Sequence, residues 1–166
     1  PMPSLEYLSL DVDRHHPIAA AIIPAIGPNL TVLILARTGG DECEWRWQWE
    51  ALYAALRGLR RLKKVAILFS SVAAEVGIRI LGCLKTVRQL ELGWGFWHPA
   101  IWVSLCKPVY VPFLEYLKMH ICEPLPDCLQ EDRRTTPDGQ DLFGFMLEAT
   151  AKRRIEAIVK CRGTVR

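Results

Sequence analysis

Three groupings of residues have the types and spacing from which chemistry is built. His120, Cys122 and Cys128 form an HxC pair followed by a further cysteine, a soft ligand set suited to zinc, but no second CxxC or HxxxH completes four ligands. His98 precedes Cys106 in one segment, so a base and a thiol nucleophile are both present, with no third group nearby in sequence to orient them. The third grouping is aromatic: Trp45, Trp47 and Trp49 alternate in EWRWQWE, and Trp94, Phe96, Trp97 and Trp102 crowd GWGFWHPAIW. Tryptophan buries a large area with little loss of side-chain freedom and is enriched at the energetic centres of interfaces. Packing and local turns also account for residues of these types. Cys106 sits on the apolar side of AIWVSLC, His15 and His16 precede Pro17 at a turn, and indole rings stack on one another in ordinary cores. GxSxG, HExxH, Walker-type and GxGxxG sequences are all missing from the chain, which removes the common signature-bearing enzyme classes.

The elements that must position these residues are announced by a pattern. An apolar residue, two variable positions, a second apolar, one variable position and a third apolar occur at Leu5, Leu8, Leu10; Leu30, Leu33, Leu35; Leu62, Val65, Ile67; Val87, Leu90, Leu92; and Leu114, Leu117, Met119. The steps between first positions are 25, 32, 25 and 27 residues, a fixed period with one longer unit whose excess falls in TGGDECEWRWQWE. The last two apolar positions of each motif have the period of a strand. Between motifs the spacing changes to three and four, as when a helix carries the chain back to begin the next parallel strand. Helices are expected over residues 17–26, in WEALYAALRGL, VAAEVGIRILGCL and AIWVSLC, and over residues 141–154. Residues 123–140 read as a long loop and 141–166 as a C-terminal cap. Within the cap, residues 155–161 have two readings. In one they form a sixth, degraded strand in which Ile155 and Ile158 match the template and Lys160 fails it; in the other the last helix runs on.

The five motifs resemble the LxxLxL of leucine-rich repeat proteins, and the irregular units with tryptophan-rich loops are similar to the repeat regions of fungal F-box-type proteins. The resemblance spans about Leu5 to Cys122. It implies an α/β solenoid with a parallel sheet on the concave side and helices on the convex side, formed as one domain over residues 1–166; the hydrophobic pattern that starts almost at Pro1 reads as that of a piece of a longer chain. The family carries Asn or Cys at the ninth motif position. Here Asp13, Thr38, Ser70, Gly95 and Cys122 stand there, and glycine offers no side chain to tie neighbouring turns together.

In such an arrangement the motif positions point inward and alternation sends the residues between them to the concave face. That face is expected to present Tyr7, Ser9 and Asp11; Val32, Ile34 and Ala36; Lys64, Ala66 and Leu68; Gln89, Glu91 and Gly93; and Tyr116, Lys118 and His120. Its centre is apolar and its margin polar, the anatomy of a protein-binding patch, with Trp94 and Trp97 on the rim.

The remaining totals constrain partners. A formal net charge of +3 is too small to demand nucleic acid or an anionic membrane, and the basic run LRGLRRLKK complements a helix C-terminus. No stretch reaches the roughly 18 uncharged apolar residues of a membrane span. Six cysteines scattered through apolar segments read as reduced thiols, hence an intracellular, cytoplasmic or nuclear protein. The expectation is a module binding a protein or peptide without a cofactor, with the resemblance adding the role of substrate receptor for a ubiquitin ligase. The alternatives are a structural piece of a longer solenoid, or a metal-binding or hydrolytic enzyme using His98, His120 and the cysteines.

Overall fold

Parallel strands cannot be joined by a tight turn, so a chain committed to them must alternate strand and crossover. The computed structural model of the chain describes residues 5–11, 23, 25, 29–37, 49–69, 72–93, 98–122 and 142–162. Over these the element order is β1 (Tyr7–Asp11), β2 (Val32–Arg37), α1 (Trp49–Gly58), β3 (Lys64–Phe69), α2 (Ala74–Cys83), β4 (Gln89–Leu92), α3 (Pro99–Leu105), β5 (Tyr116–Cys122), α4 (Leu142–Lys152) and β6 (Glu156–Arg162). The six strands form one sheet in the order of the sequence, and all five neighbouring pairs are parallel. Each of the five motifs has its second and third apolar residues on a strand. The expected helix over residues 17–26 lies outside the described residues except for Ile23 and Ala25, both helical. The loop over 123–140 and the ninth-position residues Asp13, Thr38, Ser70 and Gly95 also lie outside them, as does the side chain of Cys122.

Register explains why the motif works. Leu8, Leu33, Val65, Leu90 and Leu117 are successive pairing partners, and so are Leu10, Leu35, Ile67, Leu92 and Met119. From β2 to β5 every member of these two ladders is buried. The first motif residues, Leu30, Leu62, Val87 and Leu114, are buried just ahead of their strands. Each such aliphatic side chain taken out of water contributes about 1.5–3 kcal/mol, which makes a one-residue slip of any strand costly. The helices cover this face through residues three and four apart: Trp49, Leu52, Tyr53 and Leu56 of α1, Ile80 and Cys83 (with Leu81) of α2, and Ile101, Trp102 and Leu105 of α3 join the same core cluster. The N-terminus of α3 is fixed by local chemistry. Pro99 occupies the first turn of α3, and the ring Nδ1 of His98 accepts the Ala100 N–H at 3.2 Å.

A hydrogen-bond device repeats with the motif. The carbonyl of the second motif residue accepts two amides from the next unit: Glu6 O from Thr31 and Val32, Thr31 O from Lys63 and Lys64, Lys63 O from Arg88 and Gln89, and Arg88 O from Glu115 and Tyr116. Each shared acceptor sits one residue ahead of its strand and fixes where the incoming strand starts. Side chains reinforce the joints, Thr31 Oγ1 donating to Glu6 O at 3.0 Å and Thr86 Oγ1 to Leu62 O at 2.8 Å. At the far end of the sheet, the Gly93 amide donates to Ile67 O at 2.8 Å. A Cβ on Gly93 would lie 2.8–2.9 Å from the β3 backbone at Leu68 and Phe69, so this close approach requires glycine.

The sixth strand exists, but one residue out of the register that the motif template gives. Ala157 pairs with Leu117 and Val159 with Met119, which places Ile158 opposite Lys118 and Lys160 opposite His120. The cause is the end of α4. The Ile155 amide donates to Thr150 O at 2.8 Å and the Arg154 amide to Ala151 O at 2.9 Å, the two bonds of a Schellman cap, with Arg154 in the left-handed region at φ 56°. This cap takes the Ile155 amide, so at the β5–β6 joint Glu115 O receives the Glu156 amide alone among the described residues. Arg153, just before the cap, donates through one guanidinium nitrogen to Leu105 O and through the other to Val111 O at 2.6 Å, tying the loop after α3 to the end of α4.

A side chain other than glycine in the left-handed region is strained by roughly 1 kcal/mol. Arg154→Gly is therefore expected to raise the free energy of unfolding by about 0.5–1 kcal/mol in urea titrations, net of the greater freedom of glycine in the unfolded chain. A loss of stability would show that the Arg154 side chain does more than the cap requires.

Candidate functional site

Alternation along the same strands sends a second set of residues to the face away from the core helices, and none of them belongs to the core cluster. In register, the rows crossing this face run Tyr7, Val32, Lys64, Gln89, Tyr116, Glu156; Ser9, Ile34, Ala66, Glu91, Lys118; and Ala36, Leu68, then His120 on β5, while the side chains of Asp11, Ile158 and Lys160 lie outside the described residues. Thus the expected positions whose side chains are described share a face, with Gly93 directly beyond β4 where the ladder stops. The face is divided. Val32, Ile34, Ala36 and Leu68 form a half-buried apolar block on β2 and β3, and Ala66 between them is shut off from solvent by its neighbours. Tyr7 at the sheet edge is 54% exposed.

The other half is charged and internally paired. Glu91 Oε1 accepts from Lys118 Nζ at 2.5 Å and lies 2.6 Å from His120 Nε2. These side chains are only 19%, 21% and 32% exposed, respectively, so the cluster is held well inside the surface. Burial alone would raise the Glu91 pKa. The hydrogen bonds from Lys118 and His120, with their charge, outweigh it and hold the carboxyl below its ordinary value. Beside the cluster is a depression of about 140 Å³ lined by Lys64, Gln89, Leu90, Glu91, Tyr116 and Lys118. Among the described residues Lys64 makes no ion pair, whereas Lys118 is committed to Glu91.

The other sequence candidates separate. Trp94 and Trp97 lie outside the described residues, as do Trp45 and Trp47. Trp49 and Trp102 are core residues, Trp49 packing against Phe69 with ring centroids 5.9 Å apart. His98 and Cys106 cap opposite ends of α3, a helix of seven residues and hence about 10 Å long, and burial pushes the Cys106 thiol pKa up. Cys128 lies outside the described residues. His120 turns to Glu91, and among the described residues no three His, Cys, Asp or Glu side chains converge for a metal.

Sequence reasoning missed a cluster on the helical side. The Arg79 guanidinium lies 4.3 Å from the centroid of the Tyr53 ring and pairs with Glu50 at 2.6 Å. Burial pushes the Tyr53 pKa up to about 12, against the pull of Arg79. The four-residue step between Trp49 and Tyr53 in α1 signals only the stacking of those two rings, 6.4 Å between centroids, whereas Arg79 arrives from α2 and has no local signature.

Glu91 supplies a test by acid titration. A carboxyl whose folded pKa lies below its unfolded value of 4.5 adds stability that is present above that pH and is lost as the pH falls through the folded value. Glu91→Gln is expected to lower the unfolding free energy by about 1 kcal/mol at neutral pH. The difference from the unaltered protein should shrink as the pH falls below about 4.5 and Glu91 takes up its proton. A difference independent of pH, or no difference at neutral pH, would contradict the paired cluster.

Compared with known proteins, the chain matches no protein-family model, no curated protein and no solved structure.

Proposed function

We propose that the chain is a leucine-rich-repeat-type solenoid that binds an extended segment of another protein on the strand face away from its helices. The observation that carries this reading is the divided face: a half-buried apolar block, Val32, Ile34, Ala36 and Leu68, stands in register beside the Glu91–Lys118–His120 cluster and its depression. Sequential order of the six parallel strands supports the solenoid, since each repeat then contacts only its neighbours. Similarity of the motifs to fungal F-box-type repeat regions adds the narrower reading that the captured segment belongs to a ubiquitin-ligase substrate. The mode of capture is surface complementarity, with no covalent chemistry asked of any residue. Apolar side chains of the partner are dehydrated on β2 and β3, while the charged half sets orientation and discriminates among partners.

Three substitutions on this face, Ile34→Asp, Lys64→Glu and Tyr116→Ala, are expected to weaken recovery of the partners that the unaltered protein retains from a cell extract, by roughly tenfold or more each. Glu75→Ala, at an exposed position on α2, is the control and should bind normally. Circular dichroism melts establish that each variant folds. Undiminished recovery by all three face variants would overturn the assignment of the binding surface.

A further inference from the structure

The geometry points to an acidic peptide segment as the occupant of this face: an Asp or Glu carboxylate seated in the depression beside Lys64, with an aliphatic or aromatic side chain two residues away lying on Ile34. The inference rests on the binding role proposed above and specifies the chemistry of the partner.

Charge complementarity sets the sign. Around the depression Lys64 and Lys118 bring two ammonium groups against the single carboxylate of Glu91, which is already engaged by Lys118 and His120. Lys64 has no ion-pair partner among the described residues. Among the described residues the next carboxylate on the face, Glu156, stands on β6, three strands from Lys64 and so about 14 Å across the sheet. That exceeds the Debye length of about 8 Å at physiological ionic strength, so Glu156 does not neutralise it. The Gln89 amide and Tyr116 hydroxyl add neutral donors to the same walls. A volume of about 140 Å³ accommodates a side-chain carboxylate together with a water or two at about 30 Å³ each.

Magnitude distinguishes a peptide from a free anion. A single ion pair at an open site is worth at most about 1 kcal/mol, too little to hold a small carboxylate by itself. The missing affinity is available next door. Val32 is the pairing partner of Lys64, and Ile34 lies one strand over and one same-face step along. Combining a strand spacing of about 4.8 Å with a two-residue rise of nearly 7 Å puts Ile34 about 8 Å from Lys64. Alternate side chains of an extended peptide are separated by almost that distance, so acid and apolar anchor belong two positions apart.

The test is selection of a phage-displayed random heptapeptide library on the full chain, followed by fluorescence anisotropy with the enriched peptides. Enriched sequences are expected to carry Asp or Glu two positions from an aliphatic or aromatic residue. Their affinity should fall by roughly tenfold or more with Lys64→Glu and with Gln89→Glu, which adds a carboxylate to the lining beside Lys64, and should weaken with added salt. Replacing the peptide acid by Lys should restore binding to Lys64→Glu. Enriched peptides that lack an acid, and lose binding with Ile34→Asp but not with Lys64→Glu, would overturn this inference while leaving the binding face in place. Peptides indifferent to both substitutions, or no enrichment at all, would overturn the binding face as well.

Discussion

Everything in this fold depends on where each crossover sets the chain down. A parallel sheet supplies no turn to fix register, so the shift of one residue that would send every leucine to the wrong face has to be prevented at the joint itself. Here that is done by one carbonyl per repeat, Glu6, Thr31, Lys63 or Arg88, accepting the two amides that open the next strand. Backbone groups perform this work, so the residue type at the position is free to vary, and Glu, Thr, Lys and Arg all occur there. The invariant parts are the buried side chains on either side of it, Leu30, Leu62, Val87 and Leu114 ahead of the strand and the two apolar ladders within it.

Once register is fixed, the opposite face is determined residue by residue. Glu91 meets Lys118 because residues 89–92 and 116–119 pair without slippage, and it reaches His120 because that residue is the next one on the same side of β5. The ion cluster is thereby a by-product of the same alignment that builds the core. It lies in the half of the sheet where the strands carry alternating polar residues, while β2 and β3 expose aliphatic side chains that such a face seldom leaves to water.

Much of the architecture was legible in the sequence because spacing of three, then two, between apolar residues is incompatible with a helix and has a single strand phase. The helices α1, α2 and α4 fell inside the segments read from three- and four-residue periodicity, α3 began one residue ahead of its segment at Pro99, and the residues assigned to the second face whose side chains are described occupy it. The pairings within that face were less legible. Glu91 and Lys118 stand 27 residues apart, and their proximity appears only when motifs of unequal length are aligned by strand rather than by residue count. Beyond reach of such patterns was the Schellman cap at Arg154: a left-handed residue without glycine carries no signature, and it displaced β6 by one position from the template match at Ile155 and Ile158. The grip of Arg153 on Leu105 and Val111 carbonyls likewise belongs to tertiary geometry.

Nuclear Overhauser spectroscopy on isotope-labelled protein addresses the register directly, since contacts between backbone protons of neighbouring strands identify both partner and direction. The account requires inter-strand contacts linking Leu33 to Val65, Val65 to Leu90 and Leu90 to Leu117 in the pattern of parallel pairing. Close Hα–Hα contacts of antiparallel pairs, or helical contacts between residues three apart within these segments, would contradict it and remove the face on which the proposed binding depends.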